Sequence, residues 1–165
     1  MRSKVVALFA AALLLAACET ASDQSAATSG QGGGTGAAGG TGAVSRSQSL
    51  QERFVAEVGD RVFFDFDKSD LKPEARRTIE RWATFFRQNP NATVTIEGHC
   101  DERGTREYNL GLGERRANAA KNYLVSLGIE ARRVATISYG KERPAVLGSN
   151  EAAWSQNRRA AAVIN

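Results

Sequence analysis

Residues 19–50 hold almost nothing that a fold could bury, and this limits the chain more than any other feature. They are Ala, Gly, Ser, Thr and Gln with scarcely a large apolar side chain. The stretch GQGGGTGAAGGTG alone carries eight of the sixteen glycines of this 165-residue chain. Such a segment cannot bury enough surface to offset its ordering entropy, so it is expected to be disordered. About 35 flexible residues span roughly 30–35 Å root-mean-square, and about 110–120 Å when stretched. Residues 18–51 therefore read as a leash. Residues 52–165 are left for folding, enough for one domain with one core.

Ahead of the leash, Arg2 and Lys4 precede the apolar run VVALFAAALLLAA, and Cys18 follows it. Residues 1–17 have the charged start and apolar centre of an export signal, too short to span a bilayer comfortably. Leu15-Ala16-Ala17-Cys18 resembles the bacterial lipobox. That resemblance implies cleavage before Cys18 and acylation of the cysteine. Residue 19 is Glu and not the Asp that tends to retain enterobacterial lipoproteins in the inner membrane, which favours the outer membrane. Each buried CH₂ contributes about 0.8 kcal/mol, so one acyl chain holds marginally and several hold firmly. The expectation is a domain in the periplasm, lipid-anchored to the cell outer membrane. A Cys18 acylated on sulfur leaves Cys100 without a disulfide partner, and Cys100 is then expected to be small, buried and unreactive.

The net charge of +4 divides unevenly: the signal carries +2, residues 18–50 carry −1, and the domain keeps +3. Acidic residues are interspersed throughout the domain, so no basic stripe for nucleic acid is present.

In the domain, RVFFDF (61–66) reads as a strand with Val62, Phe64 and Phe66 on one face. LKPEARRTIERWATFFRQNP reads as a helix, with Pro73 in its first turn and Asp70 or Ser69 as cap. Its stripe is Ala75, Ile79, Trp82 and Phe86. ATVTIE (92–97) is a β-branched strand. A second helix is expected from Leu110 to Leu127, capped by Asn109, with Ala117, Ala120, Leu124 and Leu127 as its stripe and Gly128 past its end. RVATISY (133–139), a short helix at 150–156 and a strand at 159–164 complete a β-α-β-α-β-α-β order. The fold class is α+β, a two-layer sandwich of helices on one mixed sheet. The first two strand–helix–strand units suggest parallel pairing.

The stretch GHCDERGT (98–105) places the chain's one histidine beside a cysteine and three charged residues. Neighbouring side chains on a strand point to opposite faces, so His99 and Cys100 are poorly placed for a nucleophile–base pair. No G-x-S-x-G, H-E-x-x-H or paired C-x-x-C occurs. Asp65, Asp67, His99 and Asp101 could meet at strand ends, but one histidine without clustered cysteines is a poor donor set for a transition metal. Gly111 and Gly113 follow no strand and lack the third glycine of a dinucleotide fingerprint. Binding fits the residues better. Asp101 and Arg103 lie in a loop after a strand, and Leu112 and Arg116 share a helical face. An aspartate and an arginine meeting there suit a ligand with an ammonium and a carboxylate, the arginine gripping with two parallel N–H bonds. The same residues also suit a polar loop with a surface ion pair and a solvated helix face, and spacing does not choose between these.

FDFDKSDLKPEA, IEGHCDERGTREYNLGLGERRANAAKNYL and SYGKERPAVLGSNEAAWSQNRRAAAVI together resemble the OmpA-like peptidoglycan-binding domain family over nearly the whole domain. The resemblance implies non-enzymatic, cofactor-free and metal-free binding of the peptidoglycan stem peptide through its meso-diaminopimelate. Carried over by motif, the pocket comprises Phe66, Asp67, Asp101, Arg103, Leu112 and Arg116, with Asp101 and Arg116 as the charge clamp. On this reading alanine at either clamp position abolishes binding and leaves the fold intact. The resemblance further implies a periplasmic β-propeller partner, TolB, of the Tol complex that draws the outer membrane inward at division. Two other readings are a cell-wall hydrolase or metalloenzyme using Asp67, His99 and Asp101, and a pure protein-interaction module.

Overall fold

The computed structural model describes residues 49–165. The expected signal peptide, the expected lipidation site Cys18 and the expected leash up to residue 48 lie outside the described residues. The fold begins earlier than residue 52: Ser49 caps helix α1 (Leu50–Val58) through a reciprocal pair of bonds with Glu52. This helix is absent from the pattern reading. Its Phe54 is fully buried against Trp82, Phe85 and Phe86.

The remaining elements are β1 (Arg61–Phe63), α2 (Pro73–Gln88), β2 (Val94–His99), α3 (Arg106–Ser126), β3 (Val134–Gly140), α4 (Glu151–Asn157) and β4 (Arg159–Ile164). They form an α+β sandwich with the core between the helices and one four-stranded mixed sheet ordered β1-β4-β2-β3. β2 and β3 pair in parallel around α3, as the crossover rule suggests. β1 and β2 do not pair. β4 enters between them and lies antiparallel to both. Among the described residues no helix is long and apolar enough to cross a membrane.

The α2 stripe of Ala75, Ile79, Trp82 and Phe86 is buried as expected, and Phe85 joins it. Each large member contributes about 1.5–3 kcal/mol by leaving water. The cap of α2 differs from expectation. Lys72 occupies that position with no side-chain cap bond, and Pro73 follows. Proline has no N–H to satisfy there, which lowers the need for a capping oxygen.

α3 starts four residues before the expected Leu110. Thr105 caps it, its hydroxyl accepting from the Tyr108 N–H. Asn109 is buried inside the helix, and its amide ties the preceding loop by donating to the carbonyls of Arg103 and Thr105. Gly98 and Gly113 let α3 lie directly on β2: a Cβ on Gly98 would stand 1.8 Å from the Gly113 carbonyl oxygen. Gly113 therefore serves backbone-to-backbone packing.

Candidate binding site

Three segments converge at one end of the sheet. β1 ends three residues before the expected Phe66. The Phe64 N–H still bonds to the Arg158 carbonyl and its ring stays in the core. Beyond it the chain turns. Lys68 donates back to the Asp65 carbonyl, and Asp67 takes a left-handed φ of +57°. This ends the period-two alternation. Phe66, expected on the buried face with Val62 and Phe64, is 56% exposed. The second segment leaves β2 after a register shift at Gly98/His99 and carries Cys100, Asp101 and Arg103. The third is the first half of α3, pressed close by the glycine contact.

Between them is a cavity of about 140 Å³. Phe66, Asp67, Asp101, Arg103, Leu112 and Arg116 all line it, together with Tyr108 and Asn109. The structure thus gathers all six residues named from the sequence.

Arg116 is fully buried, which pushes its guanidinium below the usual arginine range. Its Nε donates to the Lys68 carbonyl at 2.8 Å, Nη1 to His99 at 2.8 Å and Nη2 to Asp65 at 3.1 Å. It pins the β1 exit loop to the end of β2. A guanidinium has five N–H groups, so one remains on each terminal nitrogen. No ion pair joins Arg116 to Asp101 among the described residues. Arg116 is therefore architecture as well as a donor, and its alanine variant is expected to cost stability as well as binding.

Asp101, only 4% exposed, is held by two other arginines. Its Oδ1 accepts from the Arg103 backbone N–H at 3.1 Å and from Nε at 3.2 Å. Its Oδ2 accepts from Arg103 Nη2 at 2.6 Å and from Arg158 Nη1 at 3.4 Å. Burial alone would raise this carboxyl, but the bonds from Arg103 outweigh it and hold it below the usual range. Arg103 is stacked between two rings, 3.9 Å from the Phe66 centroid and 4.1 Å from that of Trp154. Asp67 accepts from the Tyr108 hydroxyl.

Sequence reasoning missed Tyr108 and Asn109 in the lining, and it also missed Trp154 and Arg158. Both arrive on or just after α4, some fifty residues downstream of Asp101. The only local signal was their place in the long motif ending NRRAAAVI.

His99 and Cys100 do not form a pair. The Cys100 thiol donates to the Asn109 carbonyl at 3.3 Å, and burial pushes it up to about 11. His99 instead packs on Tyr139, with its Nε2 3.4 Å from Glu97. Among the described residues no three His, Cys, Asp or Glu side chains gather as a metal site.

The OmpA family pattern matches residues 63–158 of this chain. The chain belongs to the OmpA family. It is 49% identical over 123 residues to a peptidoglycan-associated lipoprotein of Agrobacterium fabrum, covering 74% of this chain and 70% of that one. A protein of the same name from Haemophilus influenzae is 42% identical over 146 residues, covering 88% and 87%. Among solved structures, the peptidoglycan-associated lipoprotein from Burkholderia pseudomallei superposes with a TM-score of 0.64 at 38% identity, over 68% of this chain and 93% of the other. The C-terminal domain of Helicobacter pylori MotB shares the fold, with a TM-score of 0.60 at 18% identity over 64% and 84%.

Proposed function

We propose that this chain is an outer-membrane lipoprotein, anchored through acylated Cys18, that binds peptidoglycan non-covalently by the diaminopimelate of its stem peptide. The observation that supports this best is the buried Arg116, with one spare N–H on each terminal nitrogen, in a cavity that also holds Asp101 and Asp67. The far end of diaminopimelate carries a carboxylate and an ammonium. Arg116 receives the carboxylate, and its fixed fork costs no side-chain entropy on binding. The ammonium goes to the acidic side of the cavity. It reaches Asp101 as the longest contact, from Arg158, yields to it, and Asp67 adds negative charge to the same space. Phe66 and Leu112 supply apolar contact for the methylene stem.

On this reading the domain holds the wall, the leash crosses to the outer membrane, and no bond is made or broken. A TolB-like periplasmic propeller and the Tol complex are the proposed partners, with a role in envelope integrity and in constriction at division. Membership of the family supports that part of the reading. Retention of the full chain on purified sacculi tests the site. Phe66→Ala and Asp101→Asn are each expected to lose most retention while keeping the wild-type circular dichroism. Undiminished retention by both variants would sink the assignment.

A further inference from the structure

Arg103 has an unusual setting for a residue at a cavity mouth. A side chain with four rotatable bonds at a loop tip normally samples many rotamers, and ordering it opposes binding. Here it has little freedom. Its guanidinium carbon lies over both the Phe66 and the Trp154 ring, and two of its nitrogens bond to Asp101. Trp154 is itself fixed, its indole N–H donating to Glu102 at 3.1 Å. Of the five N–H groups of Arg103, three remain, and the side chain is about one-third exposed and lines the cavity. Trp154 does not line it.

We infer that Trp154 is a positioning residue for peptide recognition: it forms, with Phe66, the slot that holds the Arg103 guanidinium flat, so that the free N–H groups of Arg103 meet a peptide oxygen without further ordering. Trp154 does this from α4 without touching the ligand. The inference rests on the peptidoglycan reading above and adds a determinant outside the motif-derived set. It also sets a geometric requirement: an aromatic ring at position 154, stacked on a planar cation at position 103.

A double-mutant cycle tests it. The probe is a soluble, diaminopimelate-containing muropeptide titrated into the full chain in detergent. Trp154→Ala is expected to weaken binding about fivefold to thirtyfold, as for a partly desolvated cation–π contact, and Trp154→Phe to stay within about twofold of wild type. In an Arg103→Ala background, Trp154→Ala is expected to change the affinity by less than about twofold, because the residue it acts through is gone. An equal loss with and without Arg103 means a merely structural role and overturns the inference, as does no loss at all. If the wild-type chain fails to bind the muropeptide, the functional reading falls and the positioning role falls with it. The stack then has its own readout in the ligand-free chain. Arg103→Ala is expected to alter Trp154 emission, the other tryptophan, Trp82, being fully buried. Unchanged emission would show that the stack is not formed in solution.

Discussion

Acidification should cost stability through His99 before the buried carboxylates respond. The ring is 1% exposed, and neither of its nitrogens has a hydrogen-bond partner. Burial, then the charges of Arg159, Arg143 and Arg61, bring it from its usual 6.5 down to about 4. A contact with the Arg143 backbone pulls the other way and is outweighed. The sign follows from where the proton binds first. In the unfolded chain His99 takes a proton below about pH 6.5, while in the fold it stays neutral until about pH 4. Stability is therefore lost as pH falls through that window. One pKa unit corresponds to 1.36 kcal/mol, so the full effect is about 3 kcal/mol, of which about 2 kcal/mol is spent between pH 7 and pH 5. Asp60, Asp65 and Asp101 are held below the usual carboxylate range and lose their stabilisation only below about pH 4. They leave the window clear. The test is urea unfolding of wild type and His99→Phe at pH 7 and pH 5. Wild type is expected to lose about 2 kcal/mol more than the variant over that interval. Any packing cost of the phenyl ring is present at both pH values and cancels. Parallel profiles would refute the reasoning and show instead that the folded imidazole takes up its proton as readily as the unfolded one.

Three further outcomes are expected. Arg116→Ala should cost about 3–5 kcal/mol in denaturant unfolding, because it strips three carbonyls of charge-assisted bonds; a loss under about 1 kcal/mol would mean that the β1 exit loop does not depend on this side chain. Gly98→Ala should destabilise by about 3 kcal/mol or more, since the added carbon would overlap the Gly113 carbonyl; an unchanged midpoint would contradict the close approach of α3 to β2. Native Cys100, followed at that residue by mass spectrometry, should be alkylated at least about 100-fold more slowly at pH 8 than after unfolding, given its burial and raised thiol pKa. Comparable rates would place the thiol at the surface.

The local patterns were legible where they were long. The α2 stripe recurs over three turns, and Pro73 marks its start. The α3 stripe with Gly128 marks its end. α1 carries signals of its own, the Ser49–Glu52 box and the spacing of Leu50, Phe54 and Val58. They were lost because they abut a segment with no apolar pattern, which drew the boundary too late. Two failures have physical causes outside any local window. β4 pairs with strands roughly 65–100 residues earlier, and no local residue preference records that insertion. Asp67 adopts a left-handed φ that an aspartate tolerates but does not announce, and it turns Phe66 from a core residue into an exposed wall of the cavity.

For the site, spacing singled out Asp101, Arg103, Leu112 and Arg116, while Phe66 and Asp67 came only through motif resemblance. What spacing could not show is how the charges pair. The expected Asp101–Arg116 clamp is split: Asp101 is held by Arg103 and Arg158, and Arg116 by three backbone carbonyls. The proposed ligand would complete the clamp where the chain leaves it open.

The proposed function turns on recognition of the two charges at the end of diaminopimelate. Its most direct test is calorimetric titration of the chain with two soluble stem peptides that differ only at the third residue, meso-diaminopimelate in one and lysine in the other. Lysine keeps the ammonium and lacks the carboxylate that Arg116 is proposed to receive. Loss of that charge-assisted pair, worth about 1.5–3 kcal/mol, should weaken the lysine peptide at least about tenfold. Equal affinity for the two peptides, or no binding of the diaminopimelate peptide, would contradict the account.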